Sequence, residues 1–113
     1  MDVIPAIDLL GGQCVRLHQG DYDQVTRFSD DPVAQARQWQ QQGATRLHLV
    51  DLDAARSGEP VNDAVIRAIT AALTIPVQLG GGVRSVERAE ELLAYGLDRV
   101  ILGTVAVEQP ALV

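Results

Sequence analysis

Apolar residues along the chain fall into short continuous runs, separated by longer stretches with helical periodicity. The runs are Val3–Ile7, Leu47–Val50, Val77–Leu79 and Val100–Leu102, and Val, Ile and Leu dominate them. Runs of this kind predict strands buried on both faces, as in a parallel sheet. In the first interval, Asp30-Asp31-Pro32 supplies an N-cap and a proline for the opening turn. Val33, Ala36 and Trp39 then share a face, and Gly43 closes the segment. In the second interval Asn62 is placed as an N-cap, Val65, Ile69, Ala72 and Leu73 form one stripe, and Pro76 ends it. In the third, Ser85 precedes Val86, Ala89, Leu92 and Leu93, and Gly96 stops the helix. The predicted order is βαβαβαβ.

That alternation implies a parallel sheet with right-handed crossovers, which both doubly wound sheets and (β/α)₈ barrels satisfy. The first interval is about twice as long as one helix needs. It holds a Gly11-Gly12 turn and then Cys14-Val15-Arg16-Leu17, which alternates like a small extra strand. After the fourth strand, Glu108, Gln109 and Pro110 resemble the start of a fourth helix. A complete barrel takes about 250 residues, against 113 here. The expectation is one domain, residues 1–113, making the N-terminal half of a phosphate-binding (β/α)₈ barrel in about three and a half units. Such a chain is expected either as a piece of a longer protein or as a half-barrel that pairs with a copy of itself, because cutting a closed sheet leaves edges and apolar faces seeking partners.

Composition narrows the function. Nine basic against 15 acidic side chains leave a net charge of −6, which argues against a grip on nucleic acid. A small phosphorylated ligand stays compatible, since a few backbone N–H groups and one or two arginines can hold it. A hydrophobic fraction of 47% excludes intrinsic disorder. No apolar run approaches the roughly 18 residues of a membrane span. The single cysteine, Cys14, has no internal disulfide partner and is expected to pack as a small apolar residue. A cytoplasmic setting is expected.

Ligands of parallel β/α folds bind at the carboxyl ends of the strands. There the sequence places Asp8, then Asp51-Leu52-Asp53, then Gly80-Gly81-Gly82 with Arg84, then Gly103-Thr104. An aspartate after a strand also serves as a turn former or helix cap. Successive glycines leading into a helix at Ser85 expose N–H groups to an anion, and Gly103-Thr104 adds a second such strand end. Arg16 and Arg84 are the cations placed to neutralise a phosphate. His48 lies mid-strand, opposite in alternation to Asp51, and His18 reads as loop surface. No Cys/His cluster points to a metal, and no Gly-x-Gly-x-x-Gly turn points to a dinucleotide.

Taken together, Ile4-Pro5-Ala6-Ile7-Asp8-Leu9, Val15-Arg16-Leu17-His18-Gln19-Gly20-Asp21-Tyr22, His48-Leu49-Val50-Asp51-Leu52-Asp53, Asn62, Gln78-Leu79-Gly80-Gly81-Gly82-Val83-Arg84 and Arg99-Val100-Ile101-Leu102-Gly103-Thr104 resemble the histidine-biosynthesis isomerase family acting on phosphoribosylformimino-aminoimidazole carboxamide ribotide. The related cyclase subunit of imidazole glycerol phosphate synthase typically has Cys-Leu-Asp and a lysine-rich segment where this chain has Ala6-Ile7-Asp8 and Val15-Arg16-Leu17. A dual-substrate isomerase that also serves tryptophan synthesis is a further alternative. The resemblance implies an Amadori rearrangement of an aminoaldose to an aminoketose, with Asp8 as general base. It implies phosphate binding by Gly81, Gly82, Gly103 and Thr104, and substrate contacts from Arg16, His48, Asp51 and Arg84. It implies no organic cofactor and no metal. The family's general acid, an aspartate ending the fifth strand, has no counterpart in this sequence, so the 113 residues alone are expected to be inactive.

Overall fold

The computed structural model describes residues 4–19, 21–102 and 105–108, the last four by backbone alone. In chain order these form β1 (Ala6–Leu10), β2 (Gln13–His18), β3 (Asp21–Ser29), α1 (Pro32–Gln41), β4 (Leu47–Asp51), α2 (Leu52–Ser57), α3 (Asp63–Ala72), β5 (Val77–Gly80), α4 (Val86–Ala94), β6 (Arg99–Leu102) and β7 (Val105–Glu108). One sheet runs β3-β2-β1-β4-β5-β6-β7. Its centre, β1-β4-β5-β6, is parallel and follows the anticipated β/α alternation. Antiparallel strands flank it on both sides. The chain is thus an α/β protein with consecutive parallel β/α units, the plan from which (β/α)₈ barrels are built.

Capping chemistry sets two helix starts as expected. The Asp31 carboxylate accepts from Ala34 N–H at 3.0 Å ahead of Pro32, and Ser85 Oγ accepts from Arg88 N–H at 3.1 Å. Asn62 does occupy the N-cap position of α3, but its side chain makes no cap hydrogen bond. It is spent elsewhere, as described below. The core lies between the helices and one face of the sheet: Ile7, Leu9, Leu47, Leu49, Leu79 and Val100 meet Ala36, Ile66, Ile69, Ala89 and Leu92 there. Cys14 joins this core, and burial pushes its thiol up to about 11 with the Asp31 charge adding to the effect. That keeps it protonated and inert.

Five expectations change. The parallel strands are buried on one face only; β4 alternates between buried and half-buried positions, because no second helix layer covers the other side. Asp8 lies inside β1 rather than at its end. The extra strand expected in the first interval is present as β2, but ahead of α1 it pairs with an unanticipated strand, β3, in a hairpin with Arg16 facing Thr26 in register and bulges at both ends. Val105–Glu108 pair antiparallel to β6, so Glu108 ends a strand instead of starting a helix; Gln109 and Pro110 lie outside the described residues. Val86 is 53% exposed at the first turn of α4, while Ala89, Leu92 and Leu93 face the core as anticipated.

The hairpin is held over the carboxyl edge of the sheet by specific contacts. Tyr22 Oη donates to the Leu52 carbonyl at 2.9 Å, and the Arg56 guanidinium sits 5.0 Å from the Tyr22 ring centre. Beneath it a small apolar cluster of Leu10, Val15 and Leu52 gathers Leu17, Val25 and Val50.

Candidate functional site at the carboxyl edge of the parallel strands

Registered rows place the polar side chains of the uncovered face. Ala6 pairs with His48 and Asp8 with Val50 across β1 and β4; His48 pairs with Gln78 and Val50 with Gly80 across β4 and β5. Paired residues of adjacent strands share a face, so Asp8, His48 and Gln78 stand on one surface. Asp8 is half-buried. Burial raises its carboxyl pKa above the ordinary 3.8, and the charges of His48 and Arg16 offset part of that rise. Burial likewise lowers the His48 pKa from 6.5, with the Asp8 carboxylate pulling the other way. At neutral pH the imidazole beside the Asp8 carboxyl is therefore neutral.

The glycine strand end lies two strands away. Gly81 and Gly82 have φ of +100° and +75°, a region L-residues rarely adopt. A Cβ on Gly82 would lie 2.2 Å from the Ala54 backbone, and one on Gly81 would lie 2.8 Å from the Asp51 carbonyl oxygen. The loop therefore packs directly on the first turn of α2, a need for glycine additional to any ligand. Beside it opens a concavity of about 260 Å³ lined by Ala55, Gly81, Gly82, Val83, Arg84 and Ile101. Arg84 is exposed, and its guanidinium donates to the Ala55 carbonyl at 3.4 Å. A larger cleft of about 410 Å³ continues from the same loop toward Arg88 and Glu91 on α4. Gly103 and Thr104 lie outside the described residues.

Not every anticipated residue gathers here. Arg16 is exposed in a separate shallow depression with Thr26 and Phe28, although its charge still reaches Asp8. Asp51 is 1% exposed, and its Oδ1 accepts twice, from Ala54 N–H at 3.0 Å and from Asn62 Nδ2 at 2.8 Å. That geometry makes Asp51 a helix cap and an internal brace. Asp51 also lines the larger cleft. His18 is exposed at the end of β2, as expected.

Sequence reasoning missed the brace itself. Asn62, 0% exposed, donates to Asp51 and, at 2.9 Å, to Asp53 Oδ2, while its own Oδ1 accepts from Gly12 N–H at 2.8 Å. Asp53 also accepts from Gly11 N–H at 2.7 Å. The turn that follows Asp8 by three residues is thereby tied to the start of both α2 and α3. The Asp51-Leu52-Asp53 doublet was the available signal: two carboxylates one residue apart cannot both cap one helix, so one was free for another partner. Among the described residues no group of three or more His, Cys, Asp or Glu could hold a metal ion. No helix among them is long and apolar enough to cross a membrane.

Parallel β/α units with glycine loops, a half-buried carboxylate and an arginine at one end of the strands define a protein of the (β/α)₈-barrel class. Residues 2–113 match the family described as histidine biosynthesis protein, and the chain belongs to that family. It is similar to three curated proteins, each called 1-(5-phosphoribosyl)-5-((5-phosphoribosylamino)methylideneamino) imidazole-4-carboxamide isomerase. The one from Synechococcus sp. (strain RCC307) is 81% identical over 113 residues, which are all of this chain and 45% of that protein. The one from Synechococcus sp. (strain WH7803) is 82% identical over all of this chain and 44% of its own length. The third, from Prochlorococcus marinus (strain MIT 9303), is 79% identical with the same 44% coverage. The chain thus spans somewhat less than half the length of these relatives.

Proposed function

We propose that this chain is the base-bearing part of an aldose–ketose isomerase acting on a phosphoribosyl-formimino-aminoimidazole carboxamide ribotide in histidine biosynthesis. The observation that carries the reading is the Asp8 carboxyl, half-buried with a raised pKa on the uncovered face. A base acts best when its pKa approaches the working pH. In the reaction the ring-opened sugar bears a protonated imine at C1. Asp8 takes the proton from C2, the C2–H pair becomes a C1–C2 double bond, and the imine nitrogen becomes neutral. Reprotonation at C1 with loss of the proton on the C2 oxygen then gives the aminoketose.

One substrate phosphate is assigned to Gly81 and Gly82, to Gly103 and Thr104, and to the N-terminus of α4, with Arg84 neutralising charge. The concavity beside Gly81 and Arg84 supports this placement. Arg16 assists from the hairpin, and His48 contacts the sugar. Residues 1–113 act as one domain, in the cytoplasm and without cofactor or metal. The uncovered face is closed by a segment equivalent to the remaining length of the relatives. That segment also brings the acid that opens the ribose ring.

Turnover is the test. The 113-residue chain alone is expected to show no isomerase activity, and adding a separately produced complement of the relatives' remaining length is expected to restore it. Full turnover by the purified chain alone would contradict the division of base and acid. No turnover from a demonstrably assembled pair would contradict the isomerase reading.

A further inference from the structure

We propose that Gln78 is a positioning residue that holds His48 as the neutral Nε2–H tautomer, so that a hydrogen-bond donor shares the uncovered face with the Asp8 carboxylate. The first observation is a contact. Gln78 Nε2 lies 2.9 Å from His48 Nδ1. An amide Nε2–H can only donate, so Nδ1 accepts and the ring proton belongs on Nε2. The second is the neighbour on the far side of Gln78. Arg99 of β6 pairs with Gln78 in register, and a guanidinium can only donate. Its charge favours the amide oxygen on its own side and the amide N–H₂ toward the imidazole.

The third observation is the direction of the ring. It leans over Gly80, where an added Cβ would lie 3.5 Å from His48 Cε1 and 3.7 Å from Nε2. Gly80 stands in the same registered row as Val50 and Asp8. His48 therefore starts one row lower and delivers Nε2 at the level of the Asp8 carboxyl, two strands over. Neighbouring strands are about 4.8 Å apart, so the span from Asp8 to Gly80 is roughly 10 Å, the width of a sugar with its substituents. Nε2 makes no hydrogen bond among the described residues. The charged group that acts on the imidazole is Asp8 on β1; Arg16 on β2 acts on Asp8 in turn, and Arg99 on β6 stands in register with Gln78. Burial holds the imidazole neutral, as a donor that neither gives up nor takes a proton at neutral pH.

What the donor meets rests on the isomerase reading: an oxygen of the phosphorylated sugar on or beside the carbon that Asp8 deprotonates. A neutral imidazole N–H stabilises growing charge on such an oxygen by hydrogen bonding alone.

The test is long-range nitrogen–proton NMR of the imidazoles in the 113-residue chain. The chain has two histidines, so His18→Gln assigns the signals. The expected native spectrum has one protonated nitrogen, Nε2, and one bare nitrogen, Nδ1. Gln78→Met keeps the bulk and removes the donor, and is expected to give the averaged tautomers of free imidazole. Gln78→Glu offers an acceptor instead and is expected to raise the proton affinity of His48 at least about tenfold, as a neighbouring carboxylate does. An Nδ1–H form in the native chain overturns the assignment, and so does an unchanged tautomer in folded Gln78→Met. The native spectrum decides on its own if the variants do not fold. Ring spectra do not depend on turnover, so a failure here is distinguishable from a failure of the isomerase reading.

Discussion

On the helix-covered face of the parallel strands, Ile7, Leu9, Leu47, Leu49, Leu79 and Val100 are each 1% exposed or less. On the opposite face, one residue along each strand, stand Ala6, Asp8, His48, Val50, Gln78, Arg99 and Ile101, all at least partly exposed. The two sets share the same backbone hydrogen bonds and the same strands. What separates them is the two-residue period of a strand, which sends neighbours to opposite sides. One face is dry and close-packed and contributes stability. The other leaves a carboxyl and an imidazole partly desolvated, which costs stability, raising the pKa of Asp8 and lowering that of His48.

The largest expected effect comes from substituting neighbours on the two faces. Leu49→Ala removes a side chain with 0% exposure and should cost about 2–5 kcal/mol in denaturant unfolding. Val50→Ala, one residue on, loses a half-buried group and should cost less than about 1.5 kcal/mol. Equal costs would erase the distinction between the faces.

Asn62→Ala sharpens the comparison at the carboxyl edge, where the faces meet. It leaves the buried Asp51 carboxylate with one of its two donors and strips Gly12 N–H of its acceptor. A cost of about 1–3 kcal/mol is expected for the groups left unsatisfied. Amide exchange should rise most at Gly11 and Gly12. Exchange that rises instead along α3 would mean that Asn62 acts as a helix cap after all.

A smaller effect comes from Asp8 in stability against pH. Its folded pKa is raised above the ordinary 3.8, so the native chain holds this proton where the unfolded chain has lost it. Stability attributable to Asp8 is therefore greatest below 3.8 and is lost as pH rises through the folded pKa. Asp8→Asn should remove that slope and leave the protein slightly more stable at pH 7. A variant less stable than native at pH 7 would place Asp8 among the structural carboxylates, with Asp51.

Much of the architecture was legible because it follows from local signals. Asp31-Pro32 and Ser85 did mark helix starts, and three of the four apolar runs did mark parallel strands, whereas β1 begins only at Ala6 and runs on to Leu10, past the Val3–Ile7 run. The stripe of α3 was misplaced by one residue at its start, since Ile66 is buried and Val65 only partly so. β3 was not legible: Asp21–Ser29 is largely exposed, so its alternation is set by pairing with β2 rather than by burial. The six-residue α2 was hidden by its length, which is too short for a periodic stripe. Asp8 and the glycine loop stood out in the sequence as candidates because their residue types are chemically distinctive. The contacts of Asn62 and Gln78 could not be found, because a side-chain amide acquires its partners only from what the fold brings close.

Turnover of Asp8→Asn, in the chain assembled with the complement of the relatives' remaining length, tests the central claim most directly. The amide keeps the shape of the carboxylate and accepts hydrogen bonds but cannot take a proton. Turnover is expected to fall at least about 10²-fold, with KM changed far less, as follows when a positioned base is lost. Turnover within a few-fold of the unsubstituted assembly would contradict the assignment of the base to the uncovered face.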